Sequence, residues 1–463
     1  MPKVSIIIPC LNSVKYIRET MESVVNQTLK EIEIIVVDAG STDGTLDILN
    51  EYARADSRVR LLHSEKKSMG YQYNIGMDAA LGEYIGFVET DDYTELVMYE
   101  YLYEAITESN VDYAKARFNM FVDLPDERLV VSYSPLPRNK AHMRNRVMAG
   151  CELEELSACD VNIWNGIYGK KFIQKNNIRF SETAGAAFQD TGFVVQTMML
   201  AEKALYIDRP SYRYRRDNSA SSIYDGKAYK FMMDEFMYAY PIIQAKKREA
   251  SLIGQRTLDR HFGLFGYFLG RSLLRGKSED GLFEEVRPFR EFILDAYRTL
   301  DEAEKAWTDL RNSLFWSLFV NDFDLYCALT GESAEQRLKT CLEFIGMCER
   351  QDKIVIFGCG DAGSGAYCYS RRGGLKNIVG FCDNDDKQWG KIHMGQTVFS
   401  PKEAMEKYKD ALYAIAITDL SHAESIRKQL IGAGIRPERI YRSPVIYPHE
   451  SFEIPTVSGG ISL

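Results

Sequence analysis

Tyr84-Ile85-Gly86-Phe87-Val88-Glu89-Thr90-Asp91-Asp92 decides the fold of this 463-residue chain. It is a short apolar β-type run that stops abruptly in a cluster of carboxylates. Three similar runs precede it, Val4–Ile8, Glu33–Val37 and Val59–His63, and each also ends in polar, loop-forming residues. Helical spacing fills the gaps. Asn12–Gln27 carries Val14, Ile17, Met21, Val24 and Val25, and Ser41-Thr42-Asp43-Gly44 offers N-caps before Leu46, Leu49 and Tyr52. Further helices are expected over Gly70–Leu81 and Glu95–Glu108. Such alternation predicts an α/β fold built on a parallel-type, doubly wound sheet, with ligands in the crevice beyond the carboxyl ends of the strands. Pro9–Asn12, Asp38–Gly44 and Glu89–Asp92 then share one rim. That rim has several carboxylates, no thiol pair and no glycine-rich phosphate loop. It suits a diphosphate held through a hard divalent cation, the chemistry of a nucleotide-sugar enzyme.

Composition narrows the classes. The hydrophobic fraction of 45% and charged fraction of 27% are those of a globular protein with a sizeable core. A net charge of −9 argues against a general nucleic-acid binder. Nine scattered cysteines without a CxxC pair favour reduced thiols over a disulfide framework or zinc site. No segment approaches the roughly 18 consecutive apolar residues of a membrane span. The first residues run into a strand and do not read as a signal peptide. A cytoplasmic enzyme is expected.

The chain should divide into an α/β domain over 1–227, a helical region over 228–350, a second small α/β domain over 351–447 and a tail over 448–463. Phe121–Pro137, with a Pro-Asp turn and a β-like run at Leu129–Tyr133, looks like an excursion over the site. In the second α/β domain the runs Ile354–Phe357, Ile378–Cys382 and Ala411–Ile417 read as strands, Ser421–Ala433 as a helix and Ile440–Tyr441 as an edge strand.

Asp91 and Asp92 are adjacent acids at a strand end, stabilised if a divalent cation lies between them and a ligand's phosphates. The plainer alternative is that Glu89, Asp91 and Asp92 cap the next helix. Wider context comes from Val4-Ser5-Ile6-Ile7-Ile8-Pro9 with Asn12, Gln27-Thr28, Glu33–Asp38, Gly40-Ser41-Thr42-Asp43-Gly44 and the Glu89–Asp92 cluster. Together these resemble family 2 glycosyltransferases over roughly the first half of the chain, with the motifs in the family's order and spacing. The resemblance implies a GT-A fold, a Rossmann-like domain that binds a sugar nucleotide with Mn²⁺ or Mg²⁺. It also implies an inverting transfer to a glycan or lipid-linked acceptor in bacterial surface polysaccharide synthesis, such as capsule or lipopolysaccharide.

Residue by residue, the resemblance implies that Pro9 and Asn12 shape the first loop beside the nucleotide. Asp38 falls near base and ribose, Asp91 near the ribose and metal, and Asp92 at the metal. Trp164-Asn165, Phe180 and Phe188-Gln189-Asp190 resemble the stretch leading to the catalytic base, which makes Asp190 the candidate. An inverting transfer needs a carboxylate to take the acceptor proton opposite the departing diphosphate; Asp190 could equally cap the helix that follows it. In Tyr212–Ser219, Arg213 and Arg215 could clamp the diphosphate, or form a solvated basic edge. Three positions depart from the family pattern. Ala39 stands where a second Asp is frequent, Tyr73 where an Arg precedes Asn74, and Glu89 where an Asp is common. They bear on donor identity, for which a UDP-sugar is the first expectation, more than on reaction class.

Gly358-x-Gly360-x-x-Gly363 follows a strand and opens a helix, with Asp383 at the next strand's end. This is the arrangement of a nucleotide or dinucleotide fingerprint. Ligand binding and a structural or oligomerising role both remain open for it. Arg256–Lys277 combines an apolar stripe with four arginines, which would suit peripheral contact with the inner face of a membrane or packing within the protein. The six histidines show no metal-ligand spacing. Two other functions compete: a nucleotidyltransferase, disfavoured because Pro9-Cys10-Leu11-Asn12 lacks a Gly-rich basic loop, and an inactive domain acting as a nucleotide sensor.

Overall fold

The computed structural model describes residues 1–134, 136, 138–150, 152–153, 162–218, 220–221, 227–246, 265–266, 269–270, 272–273, 279–299, 319 and 323–446. The chain forms two compact units, Met1–Asn119 with Ser134–Gly331, and Met120–Tyr133 with Glu332–Leu463.

The first unit is built on β1 (Val4–Cys10), β2 (Ile32–Asp38), β3 (Val59–His63) and β4 (Tyr84–Phe87), alternating with α1 (Ile17–Val25), α2 (Thr45–Ala55) and α3 (Met69–Ala79). The strands lie in the order β3-β2-β1-β4 and all pair in parallel. Every residue of β1 and β2 is buried, as expected of a sheet covered on both faces. Their carboxyl ends therefore share one rim, where Cys10 lies opposite Asp38 and Asp38 opposite His63. α1 starts later than hydrophobic spacing suggests, whereas α2 starts directly behind the expected Ser41–Gly44 cap. Residues 12–16 are consumed by the turn in which Asn12 adopts a φ of 51°, and α2 begins after Gly44 at φ 98°.

Beyond β4 the sheet turns antiparallel, which the run of βα units did not foretell. After β5 (Tyr93–Thr94) and α4 (Met98–Ser109) come β6 (Tyr113–Asp123), β7 (Arg128–Tyr133), β8 (Arg146–Ala149) and β9 (Gly166–Gly169). Then follow α5 (Lys170–Lys175), α6 (Gln189–Leu200) and β10 (Lys203–Arg215). β9 is antiparallel to β4 and β6, and β10 to β5 and β8. The sheet is thus mixed, and β10 returns to the rim where β4 ends. The Phe121–Pro137 segment, expected as an excursion over the site, is instead largely the β6–β7 hairpin, whose Met120–Tyr133 part belongs to the second unit.

Two long helices follow, α7 (Ala228–Lys246) and α8 (Glu279–Thr299), with Tyr229, Met232, Phe236, Phe289 and Ile293 in one apolar cluster. Phe265 and Leu269, from the stripe that could have faced a membrane, are fully buried in that cluster. The arginines of that stripe lie outside the described residues, as does the expected tail. Among the described residues no helix is long and apolar enough to cross a membrane.

The second unit contains α9 (Phe323–Glu349, from Glu332 on), β11 (Ile354–Phe357), α10 (Asp361–Arg372), β12 (Ile378–Cys382), β13 (Ile392–His393), β14 (Gln396–Phe399), α11 (Pro401–Lys407), β15 (Leu412–Ile415), α12 (Leu420–Gly432) and β16 (Ile440–Arg442). The order is β13-β14-β12-β11-β15-β16, parallel except for the β13–β14 hairpin. Arg371 pairs within this unit with Glu127 of the β6–β7 hairpin, and Lys376 with Asp126 at 2.7 Å.

Close packing of α3 on the rim leaves no room at Gly70, where a Cβ would meet the Ser181 carbonyl oxygen at 1.8 Å. Gly70→Ala is expected to lower unfolding free energy by about 1–3 kcal/mol, the range for overpacking. Gly346→Ala, in α9 with open space around it, should stabilise by about 0.5–1 kcal/mol. Urea denaturation of both variants checks the pair, and an unchanged midpoint for Gly70→Ala would refute the packing argument.

Candidate active site

The loop after β4 carries the densest charge of the rim. Glu89, Asp91 and Asp92 each offer an oxygen within 4.8 Å of the others. The main chain holds them there. Val88 N–H donates to the Ile7 carbonyl at 3.0 Å, and Glu89 N–H to the Tyr212 hydroxyl at 2.9 Å. The Thr20 hydroxyl on α1 bonds to the Thr90 and Asp92 carbonyls at 2.9 and 2.7 Å. From β10, the Arg215 N–H donates to Asp92 Oδ1 at 2.7 Å. Asn218 Nδ2 reaches Asp91 Oδ2, also at 2.7 Å.

Asp92 is 1% exposed, and its second oxygen, Oδ2, is buried without a hydrogen bond. Burial, then the charges of Asp91 and Glu89, push its carboxyl well above the usual range, only partly offset by the Arg215 N–H and the nearby Tyr212 hydroxyl. Burial and the charges of Asp91 and Asp190 do the same to Glu89. Asp91 is raised by burial, with Asn218 and Arg215 opposing. Helix capping does not account for this arrangement, because α4 begins only at Met98 and the acids face one another. Three crowded acids with an orphaned buried oxygen form a cation-shaped donor set.

Asp190 enters the same electrostatic neighbourhood from the first turn of α6, since its charge is felt by both Glu89 and Tyr73. Phe188, in the left-handed region at φ 63°, sharpens the turn that delivers it. Burial raises the Asp190 carboxyl to about 6, while the Thr191 N–H at 3.0 Å and the Lys115 charge pull it down. Asp190 lies inside the first turn of α6, whose N-cap is Phe188 without a side-chain cap, so the expected capping role reduces to one bond with the Thr191 N–H.

Other expected site residues have different partners. Asp38 is 4% exposed and spends its carboxylate on its own loop, accepting from Gly40 N–H at 2.8 Å, Ser41 N–H at 2.9 Å and the Ser41 hydroxyl. Asn12 shapes the first loop, taking the Thr42 N–H on its side-chain oxygen at 2.9 Å. Pro9 lies in β1 opposite Val37. Arg213 and Arg215, which could clamp a diphosphate or form a basic edge, are here engaged by this chain's own acids. Arg213 binds Glu95 at 2.5 Å, and Arg215 binds Glu19 at 2.7 Å and Asp217 at 3.2 Å. With its Nε on the Asp91 carbonyl, Arg215 is a strut that ties β10 to the acidic loop.

Sequence reading missed Lys115 and did not foresee the contacts of Trp164 and Tyr73. Lys115, 1% exposed on β6, lends positive charge to Asp190; its signal is a lone lysine in the apolar run Tyr113–Ala116. Trp164 stacks on Tyr212 and Tyr214, with centroids 4.4 and 4.9 Å away, and so fixes the strand that grips Asp92. Tyr73 is fully buried on Phe180, and its hydroxyl has no hydrogen-bond partner among the described residues although Glu89, Asp190, Asp92 and Asp91 all act on it.

In the second unit the glycine-rich turn joins β11 to α10. Gly358 takes φ 108°, and a Cβ on Gly363 would lie 1.9 Å from the Gly358 carbonyl oxygen. Gly360 caps α10. Asp383 closes back on this turn, accepting from Cys359 N–H at 2.8 Å and from the Cys359 thiol at 3.0 Å. Its carboxylate is committed to the loop itself.

Comparison with known proteins decides the class. Residues 5–147 match the family model described as glycosyl transferase family 2, and residues 350–441 match one described as C2185-like, N-terminal. The uncharacterised glycosyltransferase EpsJ of Bacillus subtilis is 32% identical over 273 residues, 58% of this chain and 72% of that one. The chain belongs to glycosyltransferase family 2. A second relative, the uncharacterised glycosyltransferase YibD of Escherichia coli, is 30% identical over 224 residues, 48% of this chain and 63% of its own length. The crystal structure of Staphylococcus aureus TarS 1-349 superposes with a TM-score of 0.54 at 22% identity, covering 72% of this chain and 91% of that one. The first unit of this glycosyltransferase thus has the GT-A fold, and the acidic loop after β4 occupies the rim where sequence placed it.

Crowding of the acids makes a stability prediction for the metal-free protein. Asp92 is raised in the fold, so its favourable contribution is complete at low pH and is lost as pH rises through the folded value. Asp92→Asn keeps the Arg215 contact and removes a buried charge. In EDTA at pH 7.5 its melting temperature should rise by a few degrees, the shift of about 1 kcal/mol. A lower melting temperature would show that the carboxylate is not strained.

Proposed function

We propose that this glycosyltransferase moves a sugar from a UDP-sugar to a hydroxyl of a glycan or lipid-linked acceptor in bacterial surface polysaccharide synthesis, with inversion at the anomeric carbon. One observation carries the reading. A carboxyl raised to about 6, Asp190, shares an electrostatic neighbourhood with three crowded acids at the carboxyl ends of the strands. A base near that value is ionised at neutral pH yet retains affinity for a proton. Asp190 would take the acceptor proton as the acceptor oxygen attacks, and Lys115 would hold the base anionic beforehand.

Glu89, Asp91 and Asp92 fit a divalent cation, because the buried Asp92 Oδ2 has no hydrogen bond in its absence. All three ligands are oxygens, which suits Mn²⁺ or Mg²⁺. Such an ion, when bound, neutralises charge on the leaving diphosphate. TarS has been solved with UDP-GlcNAc and with UDP, which makes uridine the first nucleotide to test. A sugar-nucleotide donor suits the cytoplasm, at the membrane's inner face when the acceptor is lipid-linked.

Asp190→Asn and Asp92→Ala should each lower turnover of UDP-sugars by about 10²–10⁴-fold, the range for losing a general base or comparable electrostatic stabilisation. In a thermal-shift series, Mn²⁺ with UDP should raise the melting temperature more at pH 8 than at pH 6, since the ligands must shed protons to bind. Full turnover in both variants would leave the acidic rim without a catalytic role and favour a nucleotide-sensing protein.

A further inference from the structure

The reaction reading uses Asp190 but not the acid buried behind it. Glu235, on α7, is 0% exposed. Its Oε1 takes the Ser181 hydroxyl, and its Oε2 takes the Gly192 N–H at 3.2 Å. Gly192 is two residues beyond Asp190 in the first turn of α6. A Cβ there would sit 2.6 Å from the Tyr238 ring and 2.9 Å from Glu235 Oε2, so α6 and α7 meet backbone against side chain at this point. Ser181 is itself wedged against α3 through Gly70, and the following loop is stitched to α3 by Met69 N–H on the Gly185 carbonyl at 2.8 Å. Glu235 therefore joins three separately folded pieces: α7, the Ser181 loop and the turn that bears Asp190.

We propose that Glu235 is a positioning residue for sugar transfer: through Ser181 and Gly192 it locks the first turn of α6, and with it Asp190, and it does so as the neutral acid. The inference rests on the reading of Asp190 as the base. Its neutrality follows from its surroundings. Asp190 faces it from α6, Asp234 and the Tyr238 phenol flank it on α7, and Ser181 meets it from the loop. Burial, together with the Asp190 and Asp234 charges, drives its carboxyl up to about 8 against the pull of Ser181 and the Gly192 N–H. An anion formed there is buried against the Asp190 charge, and the repulsion falls on the first turn of α6 that carries Asp190. Deprotonation of Glu235 thus displaces the base and sets an alkaline limit to turnover. Two carboxyls of unlike affinity, Asp190 raised to about 6 and Glu235 to about 8, divide the roles of base and clamp between them.

The test compares full-length wild type, Glu235→Gln, Glu235→Leu and Asp190→Asn. Turnover is read as UDP release from UDP-GlcNAc, UDP-glucose and UDP-galactose with Mn²⁺ between pH 5 and 9.5. Glutamine keeps both contacts, accepting from Gly192 through its oxygen and donating to Ser181 through its nitrogen, but cannot ionise. Wild-type kcat should fall about tenfold per pH unit above about pH 8, the slope of a single ionisation. Glu235→Gln should lose that limb and keep the acid limb near pH 6. Glu235→Leu should lose at least about tenfold in kcat at every pH, with little change in donor KM, as expected when only orientation suffers.

Melting temperature without metal gives a second readout that needs no turnover. The Glu235 value is raised in the fold, so its contribution is full below its ordinary 4.5 and disappears as pH climbs to about 8. The melting-temperature advantage of Glu235→Gln over wild type should therefore grow from pH 5 to pH 8.5. Superimposable alkaline limbs for wild type and Glu235→Gln, or a melting difference independent of pH, would overturn the proposal. An active Asp190→Asn would instead remove the base reading, leaving the pH-dependent clamp to be judged by melting alone.

Discussion

Everything at the acidic rim answers to one constraint, the holding of like charges close together out of water. Glu89, Asp91 and Asp92 would separate or protonate if the loop were free. The fold prevents separation chiefly with main-chain contacts. α1 supplies a hydroxyl to two carbonyls of the loop, and β10 supplies a backbone N–H to Asp92. Stacking of Trp164 on Tyr212 and Tyr214 in turn fixes β10. Such neutral fasteners leave the negative field intact. Positive side chains would also hold the acids together but would cancel their charge. Arg215 is the charged exception: its main-chain N–H meets Asp92, and its guanidinium reaches the Asp91 carbonyl, Glu19 and Asp217, so that its charge opposes the rise at Asp91.

The sequence revealed the part of this built from local pattern. Four apolar runs, each ending in polar residues, specify a parallel sheet because burial on both faces forbids alternation; β1 and β2 are buried at every position. The rim was legible for the same reason, since a parallel sheet aligns its strand ends. Asp190 was singled out through motif likeness, and the structure brings its charge into the field of Glu89. What escaped were pairings distant in sequence. Nothing local in Tyr212–Arg216 says that Arg213 will find Glu95 or that Arg215 will find Glu19, 196 residues away. Residue type correctly suggested a fork for anions but could not say which anions would be nearest. Asp38 shows the same limit at short range, as its carboxylate folds onto the turn two and three residues ahead.

Tyr73 carries the argument to specificity. A cation at this position would sit against Glu89 and Asp190 and lower both. The phenol is neutral, raised far above its ordinary value by burial and by those same acids, and its hydroxyl is left without a partner inside an aromatic stack. A buried unpaired hydroxyl is costly unless something enters to meet it. Its neutrality also preserves the raised affinity of Asp190 for a proton, which an arginine would abolish. At Tyr73 a neutral polar group thus stands in the field of Glu89 and Asp190, and the buried Glu235 is met by hydrogen bonds from Ser181 and Gly192. Neither adds positive charge beside Asp190, whose carboxyl burial raises to about 6 while the Thr191 N–H and the Lys115 charge pull it down.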